Sequence, residues 1–418
     1  MKPTRSLPYS VAFSRHALAS AVLAALIASA PAAWAQQQPE APATAATAAP
    51  AAPTAAVQLA ELSAIPAPTI AARAWVTIDV TSGQVLASSN ADMQIEPASL
   101  TKIMTAYVVF DALKQKRITL DQQVPVSEHA WRTGGSRMFI EPRKPVTVNE
   151  LIQGVIVQSG NDASVALAEA VGGTEESFAT LMNQEAERLG MTQTHFMNAT
   201  GLPNPQHVTT VSDLARLAVA LIKDFPDDFH YYKQKEFTYN NIKQPNRNRL
   251  LWADPSVDGM KTGHTDAAGY CLVSTALRGD RRVLTVLAGA DSEATRAEES
   301  LKLLNWSFQN FDSVKLYDQT QPGLEARVWE GTVETVKLGP PNPPIWLTVP
   351  RGKAGDIKPV AQRTDPLIAP LTKGQQVGTL QLTLDGKVLR TEPLVVQDAV
   401  ERAGFFGRMV DLVKRQFE

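Results

Sequence analysis

The chain has 418 residues, 44% hydrophobic and 20% charged, with a net charge of −2 at pH 7. Domains of roughly 100–200 residues make this two or three domains' worth of chain, with enough apolar content for a packed core. Without a leader carrying Lys2, Arg5 and Arg15, 37 basic side chains face 42 acidic ones, which lacks the basic footprint of a nucleic-acid binder.

Residues 1–35 read as a signal peptide: a positive n-region, an apolar run Ala17–Ala30, and Ala33-Trp34-Ala35 before Gln36. Residues 36–65 are dominated by Ala, Pro, Gln and Thr and read as a flexible linker. No second apolar run approaches the 20 or so residues that span a bilayer. From Pro66 the pattern becomes that of a folded domain. Trp75–Val80 and Gln84–Ser88 form an expected hairpin about Thr81-Ser82-Gly83. Helical spacing follows over Ala98–Lys114, Val148–Val157, Ala163–Val171, Ser177–Leu189 and Ser212–Ile222. Strands resume at Tyr270–Leu277 and Val283–Ala288, and Ala297–Phe308 closes the domain as a helix. Strands at both ends with helices between them predict an α+β fold, an antiparallel sheet flanked by helices, over residues 66–313.

Short β patterns then occupy residues 314–397, with Asp385-Gly386 as a type I′ hairpin signal. This predicts a small all-β domain. Residues 398–418 place Phe405, Phe406, Met409, Val410, Leu412, Val413 and Phe417 on one side of a helix and Arg408, Asp411, Lys414 and Arg415 on the other. Such a helix suits either a membrane interface or its own β domain. Cys271, the only cysteine, lies within an apolar strand pattern and reads as a buried thiol; no internal disulfide is possible. The six histidines show no metal-ligand spacing, which argues against a metallopeptidase; no metal or organic cofactor is expected.

Three short motifs carry chemistry. Ser99-Leu100-Thr101-Lys102 opens the first helix, and a spacing of three brings hydroxyl and amine to one face. A serine hydroxyl needs a base, and a lysine with a lowered pKa can serve. Ser159-Gly160-Asn161 lies on the turn between two apolar helices, where a hydroxyl could relay a proton and an amide could hold a carbonyl. Lys261-Thr262-Gly263 enters the strand hairpin and offers a second cation, a hydroxyl for a substrate carboxylate, and a glycine that permits close backbone approach. Each is ordinary alone. In order, with 60 residues from Ser99 to Ser159 and 100 from Asn161 to Lys261, and each in a fitting context, they form a set that specifies an acylated serine.

On these motifs the chain resembles the low-molecular-mass penicillin-binding proteins, the serine-type D-alanyl-D-alanine carboxypeptidase family. The similarity extends to Glu96–Lys102, Gln158–Ala163, Asn246-Arg247-Asn248 with Leu250-Leu251-Trp252, and Asp258–Thr265. It implies a penicillin-recognising domain of the β-lactamase and transpeptidase kind, acting on the stem pentapeptide of peptidoglycan in cell-wall maturation. It further implies Ser99 as nucleophile, Lys102 as its base, Ser159 and Lys261 as proton donors to the leaving D-Ala, and Asn161 as the group that orients the substrate amide. The backbone N–H groups of Ser99 and His264 would hold the oxyanion, and Thr262, Arg247 and Arg296 the terminal carboxylate. β-Lactam antibiotics would acylate Ser99. The tail would lie on the outer face of the bacterial inner membrane, making the protein periplasmic and peripherally attached. Family members often carry cysteine where this chain has Ser164.

Three other readings stay open on sequence. A β-lactamase shares the motifs, but no Glu-x-x-Leu-Asn segment lies between Asn161 and Lys261. Endopeptidase cleavage or transpeptidation would use the same groups on another bond. A catalytically silent wall-binding protein would not need all the reactive side chains that are present.

Overall fold

The computed structural model describes residues 65–318, 324–363 and 365–414; the signal peptide expected over 1–35, and all but Ile65 of the linker expected over 36–65, lie outside the described residues. The first domain is built on a five-stranded antiparallel sheet. Its strands are β1 (Ala74–Asp79), β2 (Gln84–Ser89), β3 (Val257–Thr265), β4 (Gly269–Arg278) and β5 (Arg281–Ala290), in the order β2-β1-β5-β4-β3. Strand β1 pairs with β5 from Ala74↔Ala288 to Asp79↔Val283, so the two sequence ends of the domain close on each other.

Alternation in β1 sends Val76 and Ile78 into the large core beneath the helices, while Trp75 joins Leu287 and Leu303 on the opposite face. Both faces are therefore covered. Thr77, polar by sequence, is fully buried and bonds Ser307 Oγ at 2.9 Å on the second-face helix. One layer holds α1 (Lys102–Lys114), α2 (Val148–Gln153), α3 (Asn161–Gly172), α4 (Glu175–Arg188) and α5 (Val211–Asp224); the other is α6 (Glu293–Asn310). Threonine or serine side chains cap several of these: Thr147 in a reciprocal capping box with Glu150, then Thr174, Thr210 and Ser292.

Two expected helices differ in the segment that matters most. The pattern Ala98–Lys114 begins as a 3₁₀ turn over Ala98–Thr101, and the α-helix starts only at Lys102. Val148–Val157 is α-helical to Gln153 and then widens into a π turn, Gly154–Gln158. Gly154, where the turn begins, lets Met138 pack close: a Cβ there would sit 2.2 Å from Met138 Sδ. The hairpin Glu236–Tyr239 with Ile242–Pro245 was hidden by its polar composition.

The β domain has its own core and runs from Phe311 to beyond Gln397. Val400 is buried in that core, and its N–H and C=O pair with Leu371. Gln376–Leu384 and Lys387–Val396 form the expected hairpin, with Asp385 at φ 49° and Gly386 at φ 79°, as a type I′ turn demands. Asp79, fully buried, ties the two domains: its carboxylate accepts from Arg281 Nε at 2.7 Å and Ser313 Oγ at 2.5 Å. Gln84 adds two bonds to the Thr348 backbone. A last helix, α7 (Phe405–Lys414), presents Phe405, Phe406, Met409, Val410, Leu412 and Val413 to solvent, while Asp411 on its polar side accepts from the Glu330 N–H at 2.7 Å.

Candidate active site

Ser99 sits on the 3₁₀ turn ahead of α1, preceded by Ala98 at φ 47°. A non-glycine residue in the left-handed region is strained, and such strain gathers where a reactive group must be held in place. Lys102 lies one turn on, almost wholly buried, with Nζ 3.0 Å from Ser99 Oγ. The same nitrogen donates to Asn161 Oδ1 at 2.7 Å and to the Thr200 carbonyl at 2.6 Å. Burial, then the positive charge of Arg247, lowers its pKa to about 7. A neutral amine directed at a serine hydroxyl is thus accessible at neutral pH.

Ser159 ends the π turn at φ 65°, also left-handed. The Gly160 N–H reaches back to the Gly154 carbonyl at 2.9 Å, which closes the widened turn and aims Ser159 at the sheet. There Lys261 Nζ, on β3, donates to Ser159 Oγ at 2.9 Å and to the Thr262 carbonyl at 2.9 Å. Burial, followed by the charges of Lys102, Arg247 and Arg296, holds the Lys261 amine well below its ordinary range. Two hydroxyl–amine pairs result, Ser99 with Lys102 and Ser159 with Lys261; Asn161, on α3 two residues after Ser159, joins the first by accepting from Lys102 Nζ. Its Nδ2 donates to the Gly134 carbonyl at 2.7 Å, leaving one N–H of the amide for a ligand.

Strand β3 is the edge of its sheet and passes beside the nucleophile turn: a Cβ on Gly263 would lie 3.3 Å from Leu100 N and 3.4 Å from Ala98 Cβ. The close approach that Gly263 allows is therefore to the turn carrying Ser99. Thr262 is buried beside it. His264 is exposed, its ring 4.2 Å from that of Tyr270. Arg296 is buried on α6, with Nη1 3.5 Å from the Gly263 carbonyl. Arg247 is exposed, near enough to act on both lysines. The structure thus gathers Ser99, Lys102, Ser159, Asn161, Lys261, Thr262, Gly263 and Arg296 into one site.

Several residues of this site were given no structural role by the sequence. Asp162 accepts the N–H groups of Met138, Phe139 and Ile140, fixing the loop whose Gly134 holds Asn161. The Asn198–Gly201 loop supplies the Thr200 carbonyl; Glu175 anchors it through the Ala199 N–H at 3.0 Å. Ser164 donates to the Gly160 carbonyl at 2.8 Å, bracing the Ser159 turn.

A family model described as D-alanyl-D-alanine carboxypeptidase matches residues 61–292, and one described as penicillin-binding protein 5, C-terminal domain, matches residues 311–402. The chain is 47% identical over 361 residues to the D-alanyl-D-alanine carboxypeptidase DacC of Escherichia coli (strain K12), covering 84% of this chain and 90% of that protein. It is 36% identical over 339 residues to DacF of Bacillus subtilis (strain 168), covering 80% and 87%. The crystal structure of penicillin binding protein 5 from Haemophilus influenzae matches with a TM-score of 0.77 at 40% identity, over 81% of this chain and 100% of that one. The chain belongs to the serine-type D-alanyl-D-alanine carboxypeptidase family, the low-molecular-mass penicillin-binding proteins, and is a peptide hydrolase of that class.

Proposed function

We propose that this chain trims the terminal D-Ala from peptidoglycan stem pentapeptides through an acyl-enzyme on Ser99. The observation that carries the proposal is the 3.0 Å contact between Ser99 Oγ and a lysine amine whose pKa lies near 7. Lys102 takes the hydroxyl proton as Oγ attacks the carbonyl of the penultimate D-Ala. The negative charge that develops on oxygen is met by the N–H groups of Ser99 and His264, a pair worth about 3 kcal/mol or more. The C–N bond then breaks; Ser159, backed by Lys261, delivers a proton to the leaving D-Ala nitrogen. Water attacks the resulting ester, regenerating Ser99. Thr262, Arg247 and Arg296 hold the terminal carboxylate, and Asn161 offers its remaining N–H to the substrate amide. β-Lactams acylate the same oxygen.

The direct experiment is D-Ala release from a muramyl pentapeptide by purified mature protein, beside a cross-linked dimer. We expect D-Ala from the free pentapeptide; cleavage of the dimer alone would overturn the carboxypeptidase reading in favour of an endopeptidase.

The same proposal places the protein in the periplasm, on the outer face of the inner membrane. Support comes from α7, whose aromatic and aliphatic side chains all point away from the β domain, as a helix lying in a membrane interface requires. Among the described residues no helix is long and apolar enough to cross a membrane. Because Val400 belongs to the β core and the Ala403 N–H bonds the Glu330 carbonyl, the informative truncation ends after Ala403. That protein is expected in the soluble fraction with D-Ala release unchanged; if it still sedimented with membranes, the tail would not be the anchor.

A further inference from the structure

His207 was passed over in the sequence as one of six scattered histidines. In the fold it is almost fully buried behind the nucleophile turn. Its Nδ1 accepts the Met197 N–H at 3.3 Å, so the neutral ring carries its proton on Nε2. Nε2 lies 2.9 Å from Thr101 Oγ1 and donates to it. Phe196 meets the ring edge-on, 5.7 Å between centroids at 83°, which fixes the ring plane. Burial, then the charges of His195 and Lys102, hold the pKa down at about 4, so the ring is neutral at pH 7.

Thr101 is the last residue of the nucleophile's turn and directly precedes the base. Around it, the start of α1 makes three further links to one short loop. Lys102 Nζ donates to the Thr200 carbonyl, Thr105 Oγ1 donates to the Ala199 carbonyl at 2.7 Å, and Gly201 is pressed against the Ala98 carbonyl. Among the described residues, His207 is the only side chain of the 197–207 segment that hydrogen-bonds to the turn.

We propose that His207 is a positioning residue for acylation: its Nε2–H bond to Thr101 locks the Ser99 turn against the 197–201 loop, so that Lys102 meets Ser99 Oγ and the Thr200 carbonyl at once. His207 touches no reacting atom and acts through Thr101. The proposal rests on Ser99 and Lys102 as nucleophile and base.

The test measures the acylation rate constant and the dissociation constant of the preceding non-covalent complex with a fluorescent penicillin, on folded protein at neutral pH. His207→Phe keeps the ring volume and loses the donor; its acylation is expected to slow roughly 10- to 100-fold, the usual consequence of small misplacement of reacting groups, with the dissociation constant within about twofold. His207→Gln returns an N–H near the Nε2 position and is expected to recover most of the rate. Phe at the wild-type rate, Gln as slow as Phe, or a loss confined to the dissociation constant would each overturn the proposal. Should His207→Phe fail to fold, Thr101→Val removes the acceptor from the other side and must show the same slow acylation, while Thr101→Ser keeps it; a fast Thr101→Val protein overturns the inference. Peptide mapping of the wild-type adduct separates the two layers. An adduct away from Ser99 sinks the nucleophile assignment; an adduct on Ser99 with unaltered variant rates sinks only the role of His207.

Discussion

A Ser99→Ala protein takes up no labelled penicillin and releases no D-Ala, and a Lys102→Met protein acylates Ser99 about 10²–10⁴-fold more slowly, the range a positioned general base supplies. The first substitution removes the hydroxyl to which Lys102 Nζ bonds; the second removes the base while keeping most of the volume of a buried side chain. Stopped-flow acylation at several pH values separates the lysine's chemistry from mere packing. With its pKa near 7, the amine gains its lone pair as pH rises through neutrality, so the wild-type rate climbs through about pH 7 and levels above it. The methionine variant is expected to lack that rise; an unchanged limb would show that another group is the base.

Stability should move with the same group. Folded Lys102 releases its proton near pH 7, whereas the unfolded side chain holds its proton to about 10.5. Between those values the unfolded chain binds more protons, so stability rises with pH across the window and is lost as pH falls through it. Lys261, shifted in the same direction, contributes likewise. The gain in melting temperature from pH 7 to pH 9 is therefore expected to shrink in Lys102→Met.

Gly201→Ala should be nearly as damaging, through backbone alone. Gly201 has φ 83°, and a Cβ there would fall 1.8 Å from the Ala98 carbonyl oxygen and 2.9 Å from Thr101 Oγ1. The left-handed conformation costs a residue with a Cβ roughly 1–2 kcal/mol, and the overlap with backbone adds about 1–3 kcal/mol. A fall in melting temperature of roughly 5–15 °C is expected, with acylation reduced because the displaced atoms are the turn that carries Ser99. A variant that melts and acylates like the wild type would mean that the loop yields instead of the turn, and that the close packing at Ala98 is dispensable.

What the residue pattern determined was the local: strands with two-residue alternation, helices with strong apolar spacing, the Asp385-Gly386 turn, and the chain order of Ser99, Ser159 and Lys261. Those signals arise from backbone sterics and the side-chain periods of helix and strand, so they are written in neighbouring residues. Arg296 on α6 was expected only from the family resemblance, and its guanidinium lies beside the Gly263 carbonyl. The π turn was not legible, and neither was the close packing of Met138 on Gly154 at its start, a contact made only on folding. Nor was the burial of both faces of β1, which depends on α6 returning from the far end of the domain.

Only the tertiary structure decided which contacts hold the reactive groups in their pairs. Lys102 could be matched to Ser99 from spacing, but its other partners lie 59 and 98 residues away, at Asn161 and Thr200. Lys261 reaches Ser159 across 102 residues, and His207 reaches Thr101 across 106. Separations of that size leave no periodic trace; they are fixed by which layers pack together. Burial is the same kind of property. An exposed lysine is protonated at pH 7, and it is the enclosure of Lys102 by α3, the 198–201 loop and the sheet edge, with Arg247 nearby, that brings its amine near neutrality and gives Ser99 a base.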